Sequence, residues 1–575
     1  MKRIVILLLS AVLLFGSFGC DSTPWSAVAR DFLQIPPDEK EIAFHTDRTF
    51  SELTASGIDA ALEKARAKEL LFRIERGEIA GEDAQRALDA RAEAYAHLGT
   101  DAALAYVHYC KDVTDTEKKQ AYDSLAAARS AIACDLTDAA LLLSSDPSLK
   151  DRYDQKTVNA LRRADTLSDP SVLPLLERER ALVGRYESLS EDLKLSYRGR
   201  EWTGDAILSD PSLSDEDFST LYEAYLDLFN REAGAIFLDL VSVRKEIAAT
   251  LGFASYADYV YACFDRDYSP ADAAKLSERI RTEIVPAFAE MRGDFYAAAA
   301  QLYGLVFEKD ETLDRVKEAA VSILPELSEP WDYLFSHEMV DFGTDERRMP
   351  GSFTVYLDDY GTPFLFSSWT YGFDMPSTVL HEFGHCAAYY LNAEAMREGS
   401  VLDLAEIDSQ GLELLGILRY DTIYDELCGA AETVQLFYAL YALIDGCLED
   451  TFQQFAYGED DLTLEGLNAE YGRLCAAYGL DSVGVEALSW TRIPHTFQSP
   501  FYYVSYATSM TSALQILALA RKDPAAAAKA YRSILYRDGG SAFRETLKKA
   551  GLWDPFSDDG ILGTEYDFGR SLRSA

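Results

Sequence analysis

The sequence predicts an all-α fold with one small β-hairpin, and three observations carry that prediction. Long runs are built from strong helix formers with apolar residues recurring at three and four, as in Ala60 to Leu71 and Leu125 to Ile132. Strands do not alternate with helices anywhere, which argues against a parallel sheet. A single stretch alternates as a strand does: Ser352-Phe353-Thr354-Val355-Tyr356-Leu357, then a turn at Asp358-Asp359-Tyr360-Gly361, then Phe364 to Thr370.

In chain order, the first twenty residues read as an export signal. Lys2 and Arg3 precede an apolar run from Ile4 to Phe15 that is short for a membrane-spanning helix. Gly19-Cys20 resembles the end of a bacterial lipobox, which predicts a lipid-modified Cys20 and an extracytoplasmic, membrane-anchored protein; Ser17 and Phe18 depart from the usual pattern. No later segment is expected to span a bilayer. Residues 21–45 contain Pro36-Pro37 and read as a tether. From Phe50 to about Arg163 the pattern is helical, and it is helical again over 215–300. Asp146-Pro147-Ser148, Asp169-Pro170-Ser171 and Asp210-Pro211-Ser212 punctuate the helices. Three regions follow: a signal segment 1–20, a helical region 21–200, and 201–575, which holds the chemistry-bearing motifs.

With 48% hydrophobic residues, 34 Tyr and 29 Phe in 575 residues, the chain has ample material for a large core. A formal net charge of -42 argues against nucleic acid as a partner and serves solubility. Of eight cysteines, seven remain if Cys20 carries lipid. Their number is odd and no C-x-x-C occurs, so neither a disulfide framework nor a zinc ribbon is predicted.

Ser377 to Ala388 contains H-E-x-x-H. On a helix His381 and His385 lie one above the other, so both imidazoles reach one metal ion, and Glu382 is placed to take a proton from a metal-bound water. Apolar Val379, Leu380, Phe383, Ala387 and Leu391 mark that helix, and Pro376 suits its first turn. The predicted hairpin lies directly before it. A strand edge there suits an extended peptide held by its backbone, which makes Phe364 and Phe366 candidate substrate-binding residues.

A catalytic zinc takes three protein ligands. No third histidine lies close downstream, so a carboxylate is expected, with Glu394, Glu398, Asp403, Glu406, Asp408 and Glu413 as candidates. Leu404 to Leu415 reads as a helix with Glu406, Ser409, Gln410 and Glu413 on one polar face. Further on, His495 precedes Tyr503 and Tyr506, which share a helical face. Such donors suit the charge that develops during attack on a carbonyl.

Three segments together resemble the thimet oligopeptidase and oligoendopeptidase F family of zinc peptidases. They are F-L-F-S-S-W-T-Y-G-F-D-M-P-S-T-V-L-H-E-F-G-H from Phe364 to His385, E-I-D-S-Q-G-L-E from Glu406 to Glu413, and I-P-H-T-F-Q-S-P-F-Y-Y-V-S-Y-A-T-S from Ile493 to Ser509. The resemblance implies one zinc ion on His381, His385 and Glu406, with Glu382 as general base. His495, Tyr503 and Tyr506 would hydrogen-bond the substrate and the tetrahedral intermediate, and Glu413 would orient a ligand. It also implies two helical lobes around a deep channel and short peptides as substrates. The sequence departs from the family in its export signal, at Asp408 and in Cys386 after the second histidine. Two other readings stay open: a dipeptidyl carboxypeptidase of the angiotensin-converting type, and a lipoprotein that binds peptides without cleaving them.

Overall fold

A computed structural model describes residues 45–150, 152–153, 172–210, 212–393 and 401–557. The signal segment with Cys20, the tether before residue 45, and Glu394 and Glu398 lie outside the described residues.

The first helices are α1 (Ala60–Glu75), α2 (Gly81–Cys110) and α3 (Thr116–Leu143), packed on one another. Asp59 and Asp115 start α1 and α3: the carboxylate of Asp59 accepts from Leu62 N–H, and that of Asp115 from Glu117 and Lys118 N–H. Leu70, Leu88, Leu98, Ile132 and Leu136 close a separate core between these three helices, which Leu149 just beyond α3 joins. Each such side chain contributes roughly 1.5–3 kcal/mol by leaving water.

All later elements share one large core, and it does not begin at residue 200. Phe50, Leu104 and Val107 belong to it, as do residues of α4 (Leu173–Asp192). Helix α4 packs along the 36-residue α5 (Asp215–Thr250), which Ser214 caps by accepting from Asp217 N–H. Between them β1 (Leu195–Tyr197) pairs antiparallel with β2 (Arg200–Trp202).

The predicted hairpin is present as β4 (Ser352–Leu357) and β5 (Thr362–Ser368), joined through Gly361 at φ +58°, a left-handed conformation that glycine adopts without steric cost. It is part of a three-stranded sheet of order β3-β5-β4, in which β3 (Val340–Gly343) lies parallel to β5. Four residues are too few for β3 to show a period in the sequence. The third strand makes β5 central and corrects the expectation for Phe364 and Phe366. Both side chains are fully buried. Phe364 packs on Phe50 with ring centroids 4.2 Å apart, and Phe366 stacks on Phe353 at 4.8 Å. A strand covered on both faces reads as a continuous apolar run, and its aromatics are core. Among the described strands, β3 and β4 are the two outer strands of this sheet, each with an edge facing away from β5.

Helices α6 (Met375–Leu391), α7 (Leu402–Gly416), α8 (Cys428–Gly458), α9 (Val504–Lys522) and α10 (Pro524–Leu535) complete the frame. Helix α7 packs along α6 and α9, and α9 along α8. The run Leu402–Gly458 is apolar and long enough to pass as a membrane span by composition, contrary to the sequence expectation. In the fold it is divided among several helices, and most of α7 and α8 is core. The mainly helical architecture with small sheets is the one the residue patterns predict.

Candidate active site

The site begins with how closely two helices approach. Gly384 lies between Glu382 and His385 on α6, and a Cβ there would come within 2.4 Å of the Asp408 carbonyl oxygen on α7. Only glycine allows this contact, and the contact brings Glu406 of α7 beneath the histidines. Glu406 Oε2 lies 3.7 Å from His381 Nε2 and 3.9 Å from His385 Nε2, and one ligand atom from each of the three residues falls within 4.8 Å of the others. A tetrahedral zinc site has ligand–ligand separations of about 3.3–3.6 Å, so the set fits a single small dication. His385 and Glu406 side chains are 9% and 2% exposed, whereas His381 keeps 28%, so the centre opens to solvent on the His381 side.

His381 and Glu406 are held from behind. Glu413, one helical repeat beyond Glu406, accepts from His381 Nδ1 at 2.9 Å, so Nε2 is the ring nitrogen that faces Glu406. Gln435 of α8 donates to the other Glu413 oxygen at 2.6 Å. Ser409 Oγ donates to Glu406 Oε2 at 3.3 Å. Three carboxylates, Glu382, Glu406 and Glu413, therefore surround two imidazoles. Burial works against a charged His381, but the hydrogen bond and charge of Glu413, with Glu406 and Glu382, push its pKa up to about 9. His385 goes the other way: burial, then the charges of His381 and Arg537, holds it well below its ordinary value. A surplus of negative charge around a pocket of lone pairs suits a cation.

Glu382 is buried beside the ligands and accepts from Thr354 Oγ1 at 2.9 Å through Oε2. Burial raises its carboxyl to about 7, against the lowering effects of His381 and the Thr354 hydroxyl. A carboxylate so tuned is matched to taking and returning a proton near neutrality. The other described candidates, Asp408 and Asp403, are occupied elsewhere. Asp408 forms a buried ion pair with Arg537 at 2.6 Å, and Asp403 accepts from Tyr268 Oη at 2.7 Å.

The aromatic constellation stands on irregular backbone. His495 lies on a five-residue helix (Pro494–Gln498), and α9 begins right after Tyr503. Between them Phe501 sits at φ +62°, strained for a residue with a Cβ. Its N–H donates to Gln453 Oε1 at 2.6 Å and its carbonyl accepts from Arg266 Nη2 at 2.8 Å, so two distant side chains fix the bend. Buried Arg244 likewise holds the Phe497 carbonyl, with Glu179 at 2.6 Å and Tyr457 at 3.0 Å as its other partners. The rings then gather: His495 to Tyr503 at 5.3 Å, Tyr503 to Tyr506 at 5.5 Å. A hydrogen bond from Thr508 to Asp403 sets the register of α9 on α7, less than one turn from Glu406. Burial lowers His495 to about 4, so its imidazole is neutral at ordinary pH, and Nδ1 is buried without a hydrogen-bond partner.

Sequence reasoning missed three members. Thr354 on β4 and Gln435 on α8 meet Glu382 and Glu413 only through the tertiary fold. Tyr502, 4.7 Å from the His495 ring, stood inside the quoted motif but off the i, i+3 pattern.

Comparison with known proteins agrees with this arrangement. The sequence model described as peptidase family M3 matches residues 295–564. Oligopeptidase PepF of Bacillus subtilis (strain 168) is 24% identical over 434 residues, which cover 66% of this chain; the chain spans 63% of that relative's length. The solved structure of PZ peptidase A with an inhibitor has a TM-score of 0.73 at 21% identity, covering 92% of this chain and 99% of that one. A protein of Bacillus anthracis str. Ames assigned as an oligoendopeptidase F gives 0.71 at 20% identity, with the same coverage. At these identities the solved structures speak for the fold. All three motifs, which meet in space, fall inside the stretch of this chain that matches the peptidase family M3 model.

Proposed function

We propose that the protein is an exported, zinc-dependent oligopeptidase that cleaves internal bonds of short peptides. The observation that carries the reading is the convergence of His381, His385 and Glu406 within 4.8 Å, with Glu382 beside them. His381 Nε2, His385 Nε2 and a Glu406 oxygen would hold the zinc ion. The ion would supply Lewis acidity to the scissile carbonyl and to the attacking water. Glu382 takes the proton of that water. Thr354 holds Oε2, so Oε1 is the oxygen without a hydrogen bond among the described residues. The same carboxyl then returns the proton to the leaving amine. His495, Tyr503 and Tyr506 offer hydrogen-bond donors to the developing oxyanion, and the neutral state of His495 lets one ring nitrogen donate while the other accepts. Confinement between helices restricts substrates to short chains. Lys2, Arg3, the apolar run and Gly19-Cys20 support export with a lipid anchor.

The test is mass-spectrometric digestion of mixed peptides of about 5–20 residues, a range set by the reach of an extended chain, with residues 21–575, with and without chelator, beside Glu382→Gln. Internal cuts lost with chelator and in the variant are expected. Release of C-terminal dipeptides alone would make it a dipeptidyl carboxypeptidase. No cleavage by folded, zinc-loaded protein would overturn the peptidase reading.

A further inference from the structure

Helix α8 carries a polar stripe through an otherwise apolar core. Gln435, Tyr438, Ala442, Asp445 and Glu449 fall on one face at helical spacing. The stripe starts at the metal centre, where Gln435 holds Glu413, and runs toward the aromatic constellation, where Thr496 Oγ1 donates to Glu449 at 3.2 Å. Tyr438 and Ala442, midway, are only half-buried, so this face borders open space.

Two groups on it stand apart. Glu449 is satisfied by Tyr471 at 2.7 Å and by Thr496. Asp445, one turn before it, is 5% exposed and has no hydrogen bond or ion pair among the described residues. The Tyr441 hydroxyl, one turn before that, is buried and also lacks a hydrogen-bond partner. Both lie close to Tyr503, because Gly446 packs directly against the Tyr503 backbone: a Cβ there would meet the Tyr503 carbonyl oxygen at 2.6 Å. The described neighbours that Asp445 feels are Tyr441, Tyr503, Tyr471, Cys475 and Glu449, none of them a cation. An uncompensated carboxylate at this depth is unfavourable in the empty protein, and a cationic ligand removes the penalty.

We propose that Asp445, with the Tyr441 hydroxyl beside it, forms a subsite for a cationic group of the peptide, a lysine or arginine side chain or a free α-ammonium. This inference rests on the peptidase reading and names the substrate class of that site. The cation's N–H groups donate to the Asp445 carboxylate and the Tyr441 oxygen, next to the tyrosine that faces the reacting carbonyl. Peptides are thereby selected by charge at one fixed position relative to the cut.

The test uses the zinc-loaded chain and a family of eight-residue peptides, each with lysine at one position, paired with the same peptide carrying acetyl-lysine; a second family differs only in an acetylated N-terminus. The expected result is a preference for lysine over acetyl-lysine at one position, on the order of tenfold to a hundredfold in kcat/KM, the range of a charge-assisted hydrogen bond. If the α-ammonium is the ligand, the preference moves to the second family and places the cut at a fixed distance from the N-terminus. In Asp445→Asn the ratio of charged to neutral peptide falls toward one. Equal rates for every charged and neutral pair with the wild-type chain would overturn the proposal, and that arm needs no variant. A preference that survives in folded Asp445→Asn would overturn it as well. Failure of the underlying reading looks different: neutral peptides would then be left uncut too.

Discussion

The two halves of the site are built on opposite plans. His381, His385, Glu406 and Glu413 stand on two long regular helices, pressed together at Gly384, and His381, Glu406 and Glu413 are held by near neighbours on the same two helices or by α8. His495, Tyr502, Tyr503 and Tyr506 stand on a short helix, a strained bend and one helix start, and what holds them comes from far away: Arg244 from α5, Arg266 from the loop before residue 270, Gln453 from α8. A metal needs ligands within tenths of an ångström, which regular backbone gives at no strain. In the function proposed above, the donors to a transient oxyanion are the bend residues tied by buried cations.

The comparison can be broken from either side. The largest expected effect is Glu382→Gln: turnover of a short peptide falls by about 10²–10⁴-fold, the usual worth of a general base, while bound metal measured by elemental analysis is unchanged. Arg266→Met should follow. It leaves Asp403 buried without its cation and frees the Phe501 carbonyl. A loss of about 3–5 kcal/mol in unfolding free energy is expected, with the zinc content of the folded fraction retained; loss of zinc in step with stability would show that the two halves are one unit.

His495 gives a third test. Its folded pKa of about 4 lies below the unfolded value near 6.5. The unfolded state therefore binds more protons throughout that window, so stability is full above about 6.5 and falls as pH drops toward 4, by up to ~3 kcal/mol. The slope of the chemical unfolding midpoint against pH should flatten in His495→Gln; an unchanged slope would assign it to other groups. The smallest effect is Glu413→Gln, which should weaken metal affinity by about 10–100-fold in a competition titration with a chelator, and leave the His495 slope untouched.

What the sequence made legible follows the same division. His381 and His385 are a local repeat on one helix, which spacing alone proposes; Glu406 and Glu413 share a face seven residues apart among six candidate carboxylates, and the resemblance of the E-I-D-S-Q-G-L-E segment singled them out. Asp408 looked like an unexplained departure; it faces away from the ligands and neutralises Arg537. Phe364 and Phe366 were misread because nothing in V-D-F-G announces a strand, and without β3 the second arm of a hairpin looks like an edge. Thr354 and Gln435 carry no signal at all: a threonine in a strand and a glutamine in a helix are ordinary until a partner 28 or 22 positions away meets them.

The first described residues show a consequence for synthesis. His45 Nδ1 bonds the Gly361 carbonyl 316 positions later, Thr46 N–H donates to the Tyr360 carbonyl, and Phe50 N–H to the His337 carbonyl. A ribosome adding about 5–20 residues per second needs roughly 15 seconds to a minute to make that stretch. Throughout it these three hydrogen bonds to residues 337–361 have no partner to form with. Residues 45–50 thus complete these hydrogen bonds only after residues 337–361 have been made.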